Sequence, residues 1–350
     1  MPKRSFFVKD SELDDFQRKI IDKRTDNSFI VKGCAGSGKS ILALWKAKQI
    51  QNENKGSYQI IVFTKALKRY MSDGIRHIGI PDANVVNFDA CFYWTKEPKW
   101  ERGSWKRGDF DYIIVDEAQD FSEEDIRLLK SKARKALLLY GDSAQQLYQF
   151  IDGKNTISME QMAVTTGYQT EQLVFNHRLP KKIARVAAYI SSVDDDLEGR
   201  CTNEGNEKPK IYCCRSFNAQ MDKIAEIIRN RNFEDVGILF RNNEKVKQAY
   251  DYLKNKGLNV EAKINRDMDL DFNSDNPKIL TYHSAKGLQF EAVFIPDCTC
   301  EDEEDRNPLY VAITRSYQSL YILHSGDLSS FFDDVPENLY ETTTNNTEEL

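Results

Sequence analysis

The residues of this chain that are best suited to chemistry lie between Gly33 and Ser40. They read Gly-Cys-Ala-Gly-Ser-Gly-Lys-Ser and stand between a strand predicted at 28–32 and a helix predicted at 40–51. Glycines let successive backbone N–H groups converge on phosphate oxygens, and a helix N-terminus adds the positive end of its dipole. In this context Lys39 can reach the β and γ phosphates of ATP, and the Ser40 hydroxyl can ligate Mg²⁺. The predicted ATP-binding residues of the loop are Gly33, Ala35, Gly36, Ser37, Gly38, Lys39 and Ser40.

Two acidic residues follow another apolar strand, predicted at 112–115. Asp116 and Glu117 stand at its carboxyl end, where ATPases with this type of phosphate loop hold Mg²⁺. We predict that Asp116 is the metal-side carboxylate and that Glu117 is the base that orients and deprotonates the attacking water. Acidic residues are also favoured in the first turn of a helix, which is the structural alternative for this pair.

The composition describes a globular protein. Of its 350 residues 40% are apolar and 30% charged, and no apolar run approaches the ~20 residues of a membrane-spanning helix. The N-terminus lacks the apolar segment of a secretory signal, so we expect a cytoplasmic protein without membrane contact. The seven cysteines form no C-x₂-C pair, and we interpret Cys298 and Cys300 as thiols in preference to metal ligands. The net charge of −6 does not exclude nucleic-acid binding, because a local groove decides the attraction of phosphates.

Apolar strands alternate with helical patterns along the chain. This alternation is typical of α/β domains in which helices cover both faces of a parallel sheet. The strands are too many for one sheet, so we predict two domains, at 1–172 and 173–335, followed by a disordered polar tail at 336–350. Further strands are predicted at 59–63, 136–140, 211–214, 236–240, 278–282, 292–295 and 320–324, and further helices at 123–131, 219–230, 243–256 and 309–314.

The acidic segment Asp116-Glu-Ala-Gln-Asp120 resembles the acidic box of superfamily 1 helicases of the UvrD/Rep/PcrA group. Together with the phosphate loop, other segments resemble the remaining boxes of this family in the same order. They are the Q motif at 13–17, the second box at 61–64, the GDxxQ box at 141–148, the NYR box at 176–178, the TxHxxKGLEF box at 281–290 and the YVAxTR box at 310–315. The resemblance implies two RecA-like P-loop domains with parallel sheets and the nucleotide bound in the cleft between them.

The resemblance also implies roles for residues outside the phosphate loop. Gln17 would read the adenine edge, and Gln145 would contact the γ-phosphate or the attacking water. Arg178 and Arg315 would be two arginine fingers supplied by the second lobe. Such fingers neutralise the charge spread over the transferring phosphoryl oxygens.

A single strand of nucleic acid is the substrate that the resemblance implies. The residues at positions where the family stacks bases or touches the strand are Phe63, Thr64, Tyr148, Phe150, Thr281 and His283. Aromatic stacking suits movement along any sequence, because every base offers a π-face. Phe63 also closes an apolar strand, so a place in the core is an equal alternative for it. The form of the box at 141–148 favours DNA over RNA and travel from 3′ to 5′.

Two substitutions and a difference in size depart from the family pattern. His177 stands where the family usually has the tyrosine that stacks on adenine, and Gln289 replaces a glutamate that reaches the ribose. The segments 72–111 and 179–278 are too short for the helical insertions that UvrD-like proteins carry in each lobe. Residues 94–107 instead interleave aromatic and basic side chains, which suits a strand-binding or partner-binding loop or, equally, a packed hairpin with a solvated rim.

We therefore predict an ATP-driven translocase or helicase that moves on single-stranded DNA, with weak or partner-dependent unwinding. The alternative is an ATP-switched regulatory subunit that controls a partner nuclease or another effector in a repair or phage-defence complex. The complete set of catalytic residues favours the enzyme, whereas the absence of the helical insertions leaves the regulatory subunit as an alternative. ATPase turnover with and without single-stranded DNA separates the two.

Overall fold

The computed structural model describes residues 12–34, 36–75, 78–95, 101–142, 150–151, 154–192, 196–264 and 270–344. The chain divides into two compact units, Met1–Phe175 and Asn176–Leu350. Each unit is built on one large parallel sheet. In the described ranges no helix combines the length and the apolar character needed to cross a bilayer.

The first unit contains a six-stranded sheet with helices packed on it. The described strands of the whole unit, including two separate hairpin pairs (β4–β5 and β8–β9), are β1 (Phe29–Gly33), β2 (Tyr58–Val62), β3 (Val85–Asn87), β4 (Phe92–Thr95), β5 (Glu101–Trp105), β6 (Phe110–Val115), β7 (Ala133–Gly141), β8 (Phe150–Ile151), β9 (Lys154–Asn155) and β10 (Gln169–Leu173). Its helices are α1 (Asp15–Asp22), α2 (Lys39–Asn52), α3 (Lys65–Ile75), α4 (Glu123–Lys132) and α5 (Met159–Thr166). The sheet has the order β10-β1-β7-β6-β2-β3, and all its neighbouring strands are parallel.

Hydrophobic side chains on both faces hold this first sheet in place. Alternate residues of a strand point to opposite faces, so Phe29 and Val31 enter one core cluster and Ile30 enters the other. The first cluster includes residues of α1, α2 and α3, and the second includes residues of α4 and α5. Strands buried on both faces read as nearly continuous apolar runs, which is why β1, β2 and β6 are recognisable in the sequence.

The aromatic and basic segment at 94–107 contributes to an antiparallel hairpin of β4 and β5. Arg102 anchors the hairpin, because its guanidinium lies 4.8 Å from the ring centroid of Phe92 and donates a 2.7 Å hydrogen bond to Asp125. Tyr93 remains 61% exposed and Trp94 39% exposed. The base of the segment is thus a packed hairpin that keeps two aromatic side chains at the surface. Residues 96–100, including Trp100, lie outside the described ranges.

The second unit contains a seven-stranded parallel sheet. Its strands are β11 (Lys210–Cys213), β12 (Val236–Phe240), β13 (Glu261–Ala262), β14 (Lys278–Thr281), β15 (Phe290–Ile295), β16 (Ser316–His324) and β17 (Glu341–Thr344). Its helices are α6 (Lys181–Ile190), α7 (Leu197–Arg200), α8 (Phe217–Arg231), α9 (Asn243–Asn255) and α10 (Arg306–Ile313). The sheet order is β13-β14-β12-β15-β16-β11-β17. The prediction of α/β domains with parallel sheets is therefore confirmed.

The prediction of a disordered tail at 336–350 is wrong for part of that segment. Residues Glu341–Thr344 form β17, which pairs in parallel with β11 from Lys210↔Glu341 to Cys213↔Thr344. Consecutive threonines favour extended backbone, and β11 would otherwise present an unpaired edge. The polar composition concealed this strand, because an edge strand needs few apolar residues. Residues 345–350 lie outside the described ranges.

Candidate nucleotide site

The phosphate loop connects the end of β1 to the start of α2 in the first unit. Gly36 and Gly38 have φ angles of 76° and 87°, in the left-handed region that favours glycine. A Cβ atom at Gly33 would lie 2.5 Å from the Ser37 hydroxyl oxygen and 2.9 Å from the Leu173 Cβ. The backbone therefore follows a path that side chains at these positions would block. Ala35, also predicted to bind ATP, lies outside the described ranges.

Lys39 begins α2, and its ammonium group lies against the loop. Only 8% of the residue is exposed, and Nζ donates hydrogen bonds to the carbonyl oxygens of Gly33 at 2.9 Å and Cys34 at 2.8 Å. The cation is thus held beside the loop backbone, where phosphate oxygens would be expected to approach. The Ser37 hydroxyl is buried and has no hydrogen-bond partner among the described residues, so it can accept or donate a bond to a ligand.

Asp116 is fully buried at the end of β6. Its burial, together with the adjacent Glu117 carboxylate, raises the pKa of Asp116, and the Ser40 hydroxyl and the Lys39 ammonium oppose that rise. One carboxylate oxygen accepts a 3.1 Å hydrogen bond from the Glu117 N–H, while the other is buried and without a hydrogen-bond partner in the described structure. The first residues of α2, Lys39 and Ser40, therefore lie close enough to the end of β6 to interact with Asp116.

This arrangement fits Mg²⁺. The ion takes oxygen ligands and is often held by one or two carboxylates together with the phosphates of its substrate. The unpartnered oxygen of Asp116 and the nearby Ser40 hydroxyl are ligands of that kind. No group of three or more His, Cys, Asp or Glu side chains suited to a metal occurs in the described part of the chain, so an all-protein cage is not found there.

Glu117 is buried and adopts a left-handed backbone conformation with a φ of 56°. Its carboxylate accepts a 2.6 Å hydrogen bond from the side-chain amide of Gln119. The amide oxygen of Gln119 accepts a 2.9 Å bond from the backbone N–H of Asp142, at the end of β7. A Cβ atom at Gly141 would lie 2.6 Å from that same amide oxygen, so glycine is needed for this approach.

Sequence reasoning did not select Gln119 as a functional residue. Its amide links the predicted base, Glu117, to the start of the segment that carries Gln145. The only signal in the sequence was its place inside the acidic segment 116–120, and an uncharged side chain there suggests no chemistry by itself. Gln145 itself lies outside the described ranges.

Gln17 lies next to the phosphate loop. It completes a capping box at the start of α1 with Asp14, in which each side chain bonds the other's backbone N–H. The Gln17 amide nitrogen also donates a 3.1 Å hydrogen bond to the Ser37 carbonyl oxygen. A Cβ atom at Gly38 would lie 2.8 Å from that nitrogen. Gln17 therefore lies beside the phosphate loop, and its contact with the adenine remains a prediction.

The second unit positions His177 and Arg178 by a turn that Asn176 organises. The Asn176 side-chain oxygen accepts hydrogen bonds from the backbone N–H groups of Arg178 at 3.0 Å and Leu179 at 2.9 Å. The Asn176 backbone pairs in turn with the segment around Cys201. His177 is exposed and Arg178 is partly exposed.

Arg315 and Gln289 are buried in the second unit. The guanidinium of Arg315 donates to the carbonyl oxygens of Val311 at 2.9 Å and Leu288 at 3.4 Å, and the residue is 3% exposed. These bonds use two of the five N–H donors of the guanidinium and hold it within its own unit. The Gln289 amide oxygen is buried and has no hydrogen-bond partner in the described structure, which suits a polar ligand group.

The predicted nucleic-acid contacts divide into packed and partly accessible side chains. Phe63 is partly buried and packs edge-on against Phe121, with ring centroids 5.5 Å apart, so it contributes to the core. The Thr64 hydroxyl accepts a 3.1 Å bond from the Leu67 N–H and caps α3. Thr281 is buried at the end of β14 and bonds Ser284.

His283 is partly exposed, and burial together with the nearby Lys286 ammonium lowers its pKa. A neutral imidazole is therefore favoured, which can stack or accept a hydrogen bond but carries no charge toward phosphates. Two further nucleic-acid contacts were predicted from the sequence, at Tyr148 and Phe150. Tyr148 and the side chain of Phe150 lie outside the described ranges.

Comparison with known proteins finds two matching domain families and several relatives that are named as helicases. Residues 17–151 match an AAA domain family, and residues 278–323 match the UvrD-like helicase C-terminal domain. A probable DNA helicase of Mycoplasma pneumoniae is 25% identical over 61% of this chain and 43% of its own length. The ATP-dependent DNA helicase PcrA of Staphylococcus aureus is 32% identical over 26% of this chain and 17% of its own length. The solved structure of the arterivirus nonstructural protein 10 helicase covers 92% of this chain and 64% of its own, at 17% identity and a TM-score of 0.46.

The chain spans less than half the length of these curated relatives. The AAA match nevertheless contains the phosphate loop and Asp116, and the C-terminal match contains Gln289 and Arg315. Each match therefore includes some of the boxes identified in the sequence, whereas the box at 176–178 lies outside both. In both matched segments and in its named relatives, the chain is similar to UvrD/PcrA-like superfamily 1 helicases.

Proposed function

We propose that this protein hydrolyses ATP to move along single-stranded DNA. The proposal rests on one observation: Lys39 and Ser40 interact with the buried Asp116, and one oxygen of the Asp116 carboxylate has no hydrogen-bond partner in the described structure. A phosphate-binding loop beside such a carboxylate is the arrangement that P-loop ATPases use for Mg²⁺ and a nucleoside triphosphate. Moving on DNA is the use of ATP that the names of the relatives suggest.

Each candidate site residue of the first unit has a role in the proposed hydrolysis. The loop N–H groups and Lys39 would hold the phosphates, and Ser40 and Asp116 would hold Mg²⁺. The ion, when bound, would neutralise charge on the β and γ phosphates. Glu117 would orient and deprotonate the attacking water, held in place by Gln119. Gln145, from the segment after β7, would contact the γ-phosphate or that water.

The second unit would supply the remaining contacts to the same nucleotide. Arg178 and Arg315 would neutralise the charge that develops on the transferring phosphoryl group, which is worth roughly 10³- to 10⁵-fold in rate where it has been measured. His177 would contact the adenine and Gln289 the ribose, while Gln17 of the first unit would read the adenine edge. Binding ATP between the two units would couple hydrolysis to their opening and closing.

We propose that the nucleic-acid substrate is single-stranded DNA in preference to RNA, and that the protein moves along it from 3′ to 5′. Among the residues at family positions for the strand, His283 combines partial exposure with a ring that can stack. Tyr148 and Phe150 are proposed on the resemblance alone. We expect weak or partner-dependent unwinding, because the described chain between α3 and β6 contains only the short strand β3, two 3-10 turns and the β4–β5 hairpin. Strong separation of a long duplex by the purified monomer would contradict that expectation.

An ATP-switched regulatory subunit is the second candidate. The exposed Tyr93 and Trp94 of the β4–β5 hairpin favour it, because they offer aromatic surface to a protein partner such as a nuclease. They could equally offer stacking surface to a strand. Turnover that responds to a partner protein and not to DNA would support the switch.

The test is steady-state ATP hydrolysis with and without single-stranded DNA. We expect DNA to stimulate turnover at least tenfold, and we expect Lys39→Ala to abolish turnover, because the loop then loses its cation on the phosphates. Lys48→Ala, on the same helix but partly exposed, is the matched control and should behave like the wild type. Absence of hydrolysis in the wild type under all conditions, or hydrolysis unaffected by Lys39→Ala, would overturn the proposal. RNA and DNA oligonucleotides in competition would decide the preferred track.

A further inference from the structure

Two phenylalanines of the first unit form an exposed aromatic pair. The rings of Phe16 and Phe175 meet edge to face, with centroids 5.8 Å apart and planes at 71°. Each residue is 38% exposed. Apolar rings at the surface are unremarkable singly, but a contiguous pair next to a polar site suggests a ligand contact.

The chain position of Phe16 places it near the phosphate loop. Phe16 directly precedes Gln17 in α1, and the Gln17 amide bonds the Ser37 carbonyl oxygen of that loop. Helix α1 is also fixed to strand β10 by an ion pair of 2.7 Å between Lys19 and Glu171. Phe16 therefore stands on a helix that is held between the loop and the edge strand.

The other ring reaches the same neighbourhood along the sheet. Strand β10 runs parallel to β1, and Leu173 lies opposite Gly33, where the phosphate loop begins. Phe175 follows Leu173 by two residues, beyond the carboxyl end of β10. In open α/β sheets ligands bind beside the carboxyl ends of the strands, so Phe175 occupies the edge where a nucleotide would lie.

We propose that the Phe16–Phe175 pair is the binding surface for the base of the nucleotide. This inference rests on the proposed function and deepens it, because it adds an aromatic contact to the base beside the contacts proposed for Gln17 and His177. A purine is flat and has two π-faces, and aromatic side chains contact such faces by stacking or edge-on. The phosphates on the loop and the base on this pair would then be held by neighbouring parts of one unit.

The test compares the affinity for ATP with the affinity for inorganic triphosphate, which has the phosphates but no base. Titration calorimetry with Mg²⁺ is carried out on the wild type, Phe16→Ala and Phe175→Ala. We expect each substitution to weaken ATP binding about tenfold, within the range of one aromatic–base contact, and to leave triphosphate binding unchanged. Tyr189→Ala, which removes an exposed aromatic ring of the second unit, is the control and should change neither.

The outcomes separate this inference from the proposed function. Wild-type affinity for ATP in both variants, or equal weakening of ATP and triphosphate, would overturn the assignment of the base contact while leaving ATP binding intact. No binding of ATP by the wild type would overturn both proposals. If the alanine variants unfold, Phe16→Leu and Phe175→Leu keep an apolar side chain without an aromatic face, and the same selective loss for ATP is expected. If a protein partner covers these rings instead, its binding would protect them from solvent and the substitutions would leave the affinity for ATP unchanged. That result would also overturn the assignment of the base contact.

Discussion

At the scale of single residues, Gln119 determines how the proposed base is held. Its amide nitrogen donates to the Glu117 carboxylate at 2.6 Å, and its amide oxygen accepts from the Asp142 N–H at 2.9 Å. The side chain is fully buried, so neither bond competes with solvent. An amide can serve a carboxylate and an N–H at once because it is donor and acceptor together. We infer that Gln119 is a positioning residue that acts through Glu117.

Replacing Gln119 by leucine should separate ATP binding from hydrolysis. The substitution keeps the approximate volume but removes both bonds, so the turnover number should fall by about 10- to 100-fold through misplacement of Glu117. ATP affinity should stay within a few-fold, because Lys39 and the loop are untouched. The measurement is kcat and ATP affinity for Gln119→Leu beside Gln169→Leu, an exposed glutamine of the same unit. Unchanged kcat with a folded protein would contradict the positioning role.

At the scale of elements, a buried lysine joins the first two helices. Lys46 of α2 is inaccessible to solvent, and its ammonium donates to the carbonyl oxygens of Ile21 at 2.6 Å and of Lys23, and to the Gln49 amide oxygen at 3.0 Å. Burial lowers the pKa of Lys46 to about 8. These bonds satisfy carbonyl groups where α1 ends, which a helix terminus otherwise leaves unpaired. Lys46 thereby holds α1, and with it Gln17, against α2.

Replacing Lys46 by methionine should therefore loosen α1. The substitution leaves buried carbonyls without donors, and we expect a loss of about 1–3 kcal/mol in the free energy of unfolding. ATP affinity should fall as well, because Gln17 and Phe16 lose their support. Chemical denaturation and nucleotide titration of Lys46→Met are compared with Lys48→Met, which changes a partly exposed lysine of the same helix. Equal stability of the two variants would show that the tether has no energetic role.

The sequence predicts those elements that have a local signature. Strands such as β2 and β12 are mostly apolar and buried throughout, and the phosphate loop and Asp116 are marked by spacing alone. Strand β10 was missed because it reads Gln-Thr-Glu-Gln-Leu, with exposed positions at the edge of the sheet. Strand β17 was missed for the same reason. The bonds of Gln119 and Lys46 join residues from different elements, and no pattern along the chain encodes such contacts.

At the scale of the whole molecule, the proposed chemistry is divided between two units. Lys39, Asp116 and Glu117 belong to the first, and Arg178 and Arg315 belong to the second. The two arginines are not equivalent as tests. Removing the buried Arg315 guanidinium would also unpair the carbonyls of Val311 and Leu288, so a loss of activity could come from altered folding. Arg178 is partly exposed, and Asn176 bonds its backbone N–H, which an alanine at this position retains.

The most direct test of the proposal that the second unit takes part in catalysis is ATP hydrolysis by Arg178→Ala with saturating single-stranded DNA. The affinity of this variant for ATP is measured in parallel. We predict that kcat falls by about 10³-fold while ATP affinity changes only a few-fold, because the guanidinium acts on the transferring phosphoryl group. The control is Arg185→Ala, which removes a guanidinium of the same unit that pairs with Glu198 and Glu204. A turnover number for Arg178→Ala equal to that of this control would contradict the proposal that the second unit takes part in catalysis.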